Sequence, residues 1–293
     1  MDERYIFNDL PEPRPEFDLS AKPRRRWDGG HSLLFFVLSA LASLLAALAL
    51  VNVSGFYGSV IFSEVMVFAL IPFLLRHVFD TGWRTWTRRP EVGAEFWIWC
   101  TAAVVSFAVV QSNLPVLLDR MWPIPQEQFD FFKKNLAAGS VSEFLMLLLV
   151  AAVVPGICEE LAFRGLIQTG LRRSFGTNHA IIWGGAMFAV LHLNPWNFIG
   201  LWTFGALLGY LRERTGSIYP SVAAHVANNA LALVVFALQK PEDWDTRPEF
   251  LPWYVVLPAG ALLVYALIQL HRVTASSASR GAPARVILTE PPT

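Results

Sequence analysis

Residues 32–54 form a run without one charged side chain. As a helix rising 1.5 Å per residue, a run of that length crosses the ~30 Å hydrocarbon core of a bilayer. Inside a soluble domain it would need apolar partners on every side, whereas lipid supplies them everywhere. An apolar run interrupted only by Glu64 spans 56–75, and further candidates are 96–118, a run from Val141 that turns charged at Glu159, then 180–193, 196–211, 217–238 and 253–270. The uncharged stretch 180–211 is too long for one crossing. Asn194-Pro195 in its middle is a turn signal, which predicts two helices in a tight hairpin. The expectation is an all-α, polytopic integral membrane protein with about eight transmembrane helices around an intramembrane cavity. Composition agrees: 54% of residues are hydrophobic and 16% charged, against roughly 25% charged in soluble proteins.

Cations in the short loops set the expected orientation. With alternating spans, Lys22, Arg24, Arg25 and Arg26, then Arg76, Arg84, Arg88 and Arg89, then Arg172 and Arg173, then Arg212 and Arg214, then Arg272, Arg280 and Arg285 fall on one side. The other side is poorer, with Lys240 and Arg247 and, after the third span, Arg120, Lys133 and Lys134. Both termini are therefore expected in the cytoplasm, the membrane being the inner or plasma membrane if the cell is bacterial. Residues 1–30, polar and holding Pro11, Pro13, Pro15 and Pro23, read as a disordered tail too long and too polar for a simple signal peptide. Residues 274–293, rich in small residues and Pro, read as a second such tail. Between them, 31–140 reads as transmembrane helices with an interfacial loop, and 241–273 as a loop and the last helix. Trp83, Trp86, Phe96, Trp97 and Trp99 resemble an aromatic belt, and 122–136 a stretch lying along the headgroups. A formal net charge of zero gives no reason to expect a nucleic-acid partner. Cys100 and Cys158 both sit in apolar runs and read as buried thiols rather than a disulfide.

A charged group at mid-bilayer costs at least ~2.5–3.5 kcal/mol on insertion scales, so each one inside a span needs a reason. Glu64, Glu159, Glu160, Arg164, His192 and His225 are such groups. Counted from the cytoplasmic helix ends, Glu159 and His192 each lie ~14 residues or roughly 21 Å deep, and His225 ~8 residues or roughly 12 Å. Glu160 and Arg164 are spaced i, i+4 on one helical face, where the arginine can hold the carboxylate ionised. Phe188 and His192 share that spacing, as do His225 and Asn229. One helix would thus bring carboxylates, a second an imidazole, and a third an imidazole with a carboxamide. Hydrolysis by acid–base chemistry needs a base for water and donors for an oxyanion, and this set holds both. Glu159, His192 and His225 are equally a candidate zinc set, although the soluble HExxH spacing is absent. Glu64, alone on its span, reads as a protonated or hydrogen-bonded packing residue. Gly205 and Gly209 form a GxxxG pattern that permits close helix contact.

The segment Glu159-Glu160-Leu161-Ala162-Phe163-Arg164-Gly165 resembles the EExxxR motif, in its EExxFRG form, of the CPBP family of intramembrane proteases. That family includes the CAAX-prenyl proteases and bacteriocin-processing or self-immunity proteins. Phe188 to His192 is similar to its FxxxH motif, and His225 to Asn229 to its HxxxN motif. The resemblance marks 141–240 as the catalytic core. It implies that Glu159 activates water with His192 sharing the work, that Glu160 and Arg164 form a supporting pair, and that His225 with Asn229 stabilises the oxyanion. Phe188 would shape the site. The family holds members described as metalloproteases and as metal-independent glutamate proteases, so Zn2+ stays open as a cofactor; an Asn in the set favours none, being a poor zinc ligand and a good oxyanion donor. The implied function is an intramembrane endopeptidase acting on a membrane-anchored or lipidated protein or peptide, with the bilayer as its other partner. Two other classes remain: a non-catalytic membrane protein of the same fold that binds or sequesters a partner, and a proton-coupled transporter. The transporter predicts repeated broken helices, and the sequence holds no second copy of the Glu-Glu-Arg segment.

Overall fold

The computed structural model describes residues 24–239 and 249–281. The N-terminal tail up to Pro23, the C-terminal tail from 282, and Lys240 and Arg247 lie outside the described residues.

Helix α1 is the run Gly29–Val78, of 50 residues. Asp28 caps its start, accepting from the His31 amide at 3.0 Å, and that bond holds the Asp28 carboxyl below the usual carboxylate range. A straight helix of that length would reach roughly 75 Å, but Gly55 breaks it with φ 69°, a conformation that glycine adopts without a Cβ clash. The two ends of the run then meet. Arg25–Arg26 (β1) pair with Phe79–Asp80 (β2), the Trp27 amide donates to the Asp80 carbonyl at 3.2 Å, and Arg24 Nη1 donates to the Arg76 carbonyl at 2.6 Å. Thus α1 is a hairpin whose arms, 29–54 and 56–78, follow the first two apolar runs. Residues 24–30, expected in the disordered tail, are ordered because Trp27 is buried and its indole N–H donates to Ser32 Oγ at 2.9 Å and to the Leu166 carbonyl at 3.1 Å.

After β2 come α2 (Trp83–Trp86), α3 (Ala94–Met121), α4 (Gln126–Leu136), α5 (Val141–Phe175), α6 (Thr177–Leu191), α7 (Phe198–Thr215), α8 (Tyr219–Leu238) and α9 (Trp253–Gly281). Among the described residues, α1, α3, α5, α8 and α9 are long and apolar enough to cross a membrane. Five such runs stand where about eight separate spans were expected, in part because the first holds two of them. Helix α6 has 15 residues. It rises about 22 Å and falls short of the ~30 Å core. The turn Pro195–Asn197 joins it to α7 in the expected hairpin. Helix α9 continues through Gly281, into the stretch expected to be a disordered tail.

Helix α5 is the centre of the molecule, with α1, α6 and α8 packed around it. Between Pro155 and Leu171 only Ile157 is exposed. Phe35, Phe68, Phe163, Phe188 and Phe204 join it in one apolar cluster. Two contacts bring backbones together. A Cβ on Gly156 would lie 2.5 Å from Val226 Cγ2 and 3.1 Å from its amide nitrogen, so α5 and α8 touch there. A Cβ on Gly205 would lie 2.8 Å from Gly185 Cα, so the GxxxG face of α7 meets α6.

The segment after β2 departs from the expected aromatic belt. Trp86 is 1% exposed, and its ring fills the notch at Gly165, where a Cβ would lie 2.7 Å away. The Trp86 carbonyl accepts from the Ile218 amide at 2.9 Å, and the Arg88 carbonyl from Ser217 Oγ at 2.7 Å. The start of α8 is therefore level with Gly165, about ten residues or ~15 Å from the end of α5. Arg173, at that end, donates to the carbonyls of Asp80 and Trp27 at 2.6 and 3.2 Å, which gathers the cations of α1 and α5 at one end of the molecule.

Candidate active site

The two glutamates of α5 are buried neighbours with different partners. Glu160 is fully buried, and its Oε1 meets Arg164 Nη1 at 2.9 Å and His225 Nδ1 at 3.0 Å. The i, i+4 spacing read from the sequence supplies the first contact; the Gly156–Val226 approach of α8 supplies the second. Arg164 donates on to the Gly205 carbonyl at 3.0 Å, and its guanidinium lies 4.8 Å over the Phe188 ring. The close α6–α7 packing sets both of those groups against α5. Removing one partner of such a buried pair costs about 3–5 kcal/mol because the other charge is left alone.

Counting residues from helix ends placed His225 shallower than the carboxylates, yet the structure bonds it to Glu160. The count assumes a common starting plane, and α8 starts deep, against Trp86. A carboxylate accepts, so His225 Nδ1 carries the proton and its Nε2 faces the other carboxylate, 3.8 Å from Glu159 Oε2. That oxygen is buried and has no hydrogen-bond partner. The gap is too long for a direct hydrogen bond and leaves both atoms with unmet bonding capacity.

His192 caps the C-terminus of α6 and is exposed. Its Nδ1 lies 2.8 Å from the Phe188 carbonyl, which only accepts, so Nδ1 bears the hydrogen and Nε2 keeps a lone pair. The Phe188 ring touches both imidazoles, with centroids 4.6 Å from His192 and 5.6 Å from His225. Asn229 is half-buried; one of its amide hydrogens goes to the Ala151 carbonyl at 3.3 Å, and Asn228 Nδ2 donates to its Oδ1 at 3.4 Å. Among the described residues no three His, Cys, Asp or Glu side chains converge as a metal-binding group. Of the candidate zinc ligands Glu159, His192 and His225, His192 is exposed at the end of α6 while the other two are buried.

Sequence reasoning left Glu64 outside the site, and the structure brings it in. It is 8% exposed, and its carboxyl lies within hydrogen-bonding reach of the Glu159 carboxyl. It opens the π-helical turn Glu64–Leu70 of α1, and two more such turns, Leu149–Val153 and Leu161–Ile167, flank the glutamates on α5. Turns of this kind are rare and concentrate at functional sites. No local spacing ties Glu64 to Glu159, so only the packing of α1 on α5 reveals the pair. Cys158 is buried, as expected, beside both carboxyls. Apart from these groups, an apolar cavity of about 560 Å³ lies between α7 and α9, lined by Leu207, Tyr210, Leu263 and Leu267 among others and by none of the site residues.

Residues 141–231 match the family model described as type II CAAX prenyl endopeptidase Rce1-like. The chain is also similar to a protein of Bacillus subtilis (strain 168) described as uncharacterized protein YyaK, with 36% identity over 150 residues, covering 45% of this chain and 50% of that one. The match thus spans half the length of that curated relative. No solved structure matches the chain.

Proposed function

Residues 141–231 belong to the CAAX-protease (CPBP) family, and on that premise we propose that this integral membrane protein is an endopeptidase that hydrolyses a peptide bond of a membrane-anchored or lipidated substrate with water activated by Glu159 and His192. The observation that carries the reading is the gap between Glu159 Oε2, buried and without a hydrogen-bond partner, and His225 Nε2, 3.8 Å away. Water beside Glu159 gives a proton to the carboxylate as its oxygen attacks the substrate carbonyl carbon. The negative charge then collects on the carbonyl oxygen. His225, held by Glu160 and carrying both ring protons, donates Nε2–H to that oxygen, and the second amide hydrogen of Asn229 is a further donor. Collapse breaks the C–N bond as the proton passes from Glu159 to the leaving amine. His192 Nε2, with its lone pair free, assists in orienting the water. Glu160 and Arg164 act as positioning residues: Arg164 holds Glu160, and Glu160 holds His225 turned toward Glu159.

Co-expression of the chain with candidate membrane-anchored substrates, followed by mass measurement of the substrate, tests this. A product made by wild type and lost in Glu159→Ala and in His192→Ala, at equal expression and unchanged thermal unfolding, is the expected result. A product that persists in Glu159→Ala would sink the mechanism, and a substrate bound but left uncut by wild type and variant alike would move the chain to the sequestering class.

A further inference from the structure

Glu64 enters the site from a different helix than every residue assigned a role above. Its carboxyl Oε2 is buried without a hydrogen-bond donor, Glu159 Oε2 is in the same condition, and the two carboxyls are in reach of each other. Among the described residues no Lys or Arg pairs with Glu64, while the cation nearest in sequence to the glutamates, Arg164, is committed to Glu160 and Gly205. Glu64, Glu159 and Glu160 are three carboxyls facing two cations, Arg164 and the charged His225 of the mechanism, which lies 3.0 Å from Glu160 and 3.8 Å from Glu159; in an apolar interior all three cannot be ionised at tolerable cost, and Glu64 is the one with no cation beside it. A proton on Glu64 makes that carboxyl a donor toward Glu159 and leaves Glu159 Oε2 facing His225 Nε2 and the water. The second arm of α1, which carries Glu64, has Val67 and Phe68 buried in the core, and Phe68 stacks on Phe163 with centroids 6.3 Å apart, so the position of Glu64 against α5 is fixed by packing and not by the carboxyls alone.

We infer that Glu64 is a positioning residue of this site: Glu64 and Glu159 hold one proton between them, and the O–H of Glu64, donated to Glu159, aims the remaining carboxylate oxygen at the water. The kinetic part of this inference rests on the proposed hydrolysis; the proton itself does not. The pair also explains why the α1 hairpin, mostly open to lipid, carries a carboxyl on its packed side.

Two substitutions separate positioning from packing. Glu64→Gln keeps an N–H donor toward Glu159, while Glu64→Met keeps the volume and removes the donor. The expected result is kcat within about threefold of wild type for Glu64→Gln and lowered at least about tenfold for Glu64→Met, with KM within about twofold for both and no loss of thermal stability. Glu64→Met with wild-type kcat would make Glu64 a packing residue and overturn the inference while leaving the hydrolysis intact. Equal loss in both variants would overturn the donor role. Infrared difference spectra of the purified protein give an answer that does not need a substrate. The wild type and Glu159→Gln should show a carboxylic-acid C=O band that Glu64→Gln lacks; no difference between wild type and Glu64→Gln would overturn the shared proton even if cleavage is never observed.

Discussion

Helices α1 and α5 both look like membrane segments, with mean hydropathies of 2.7 and 2.3 in their most apolar windows. Yet 11% of that window is buried within the molecule for α1 and 33% for α5. Hydropathy therefore decides that a helix enters the bilayer and leaves open where in the bundle it goes. What holds α5 at the centre is its polar and small residues: Glu160 and Arg164 need partners that only neighbouring helices bring, and Gly156 and Gly165 let α8 and Trp86 come close enough to bring them. Along the first arm of α1, by contrast, leucines such as Leu45 and Leu48 face outward.

The strongest way to break this contrast is to unpair the centre. Arg164→Met leaves Glu160 with His225 as its sole counter-charge and is expected to lower stability by about 3–5 kcal/mol, measured as unfolding in detergent. Glu160→Gln combined with Arg164→Met removes both charges and should recover most of that loss without recovering cleavage. Next in size is Gly156→Val, which drives methyl groups into Val226. It is expected to cost about 1–3 kcal/mol and to reduce cleavage by moving His225 off Glu160; unchanged stability would mean that the α5–α8 contact is looser than the geometry here. The smallest effect belongs to α1. Leu48→Ala, at a position 66% exposed, should change stability by less than about 0.5 kcal/mol and leave activity alone. A larger effect would reveal a protein partner on that face.

What the sequence made legible was local. Apolar runs marked the helices but not how many cross a membrane, Asn194-Pro195 marked the α6–α7 turn, and the i, i+4 pair of Glu160 and Arg164 lies on one helix face as its spacing required. The hidden parts depend on contacts between distant segments. The level at which α8 starts follows from Trp86 wedging beside Gly165 and could not be had by counting from the end of a helix. Trp86 itself carries no local mark that separates a buried tryptophan from an interfacial one. Nor did a lone Glu64 in an apolar run show its direction, since a helix of near-uniform hydropathy has no preferred face to read.

The fold of α1 at Gly55 has a consequence for how the protein is made. A helical hairpin can enter the membrane as one unit, and this one emerges from the ribosome before α5. Glu64 precedes Glu159 by about 95 residues, which at ~5–20 residues per second is roughly five to twenty seconds of synthesis. During that interval the hairpin sits in lipid with its carboxyl unpartnered, most cheaply as the neutral acid. Arrival of α5 then brings Glu159 to a carboxyl that already holds a proton, so the order of translation itself loads the pair.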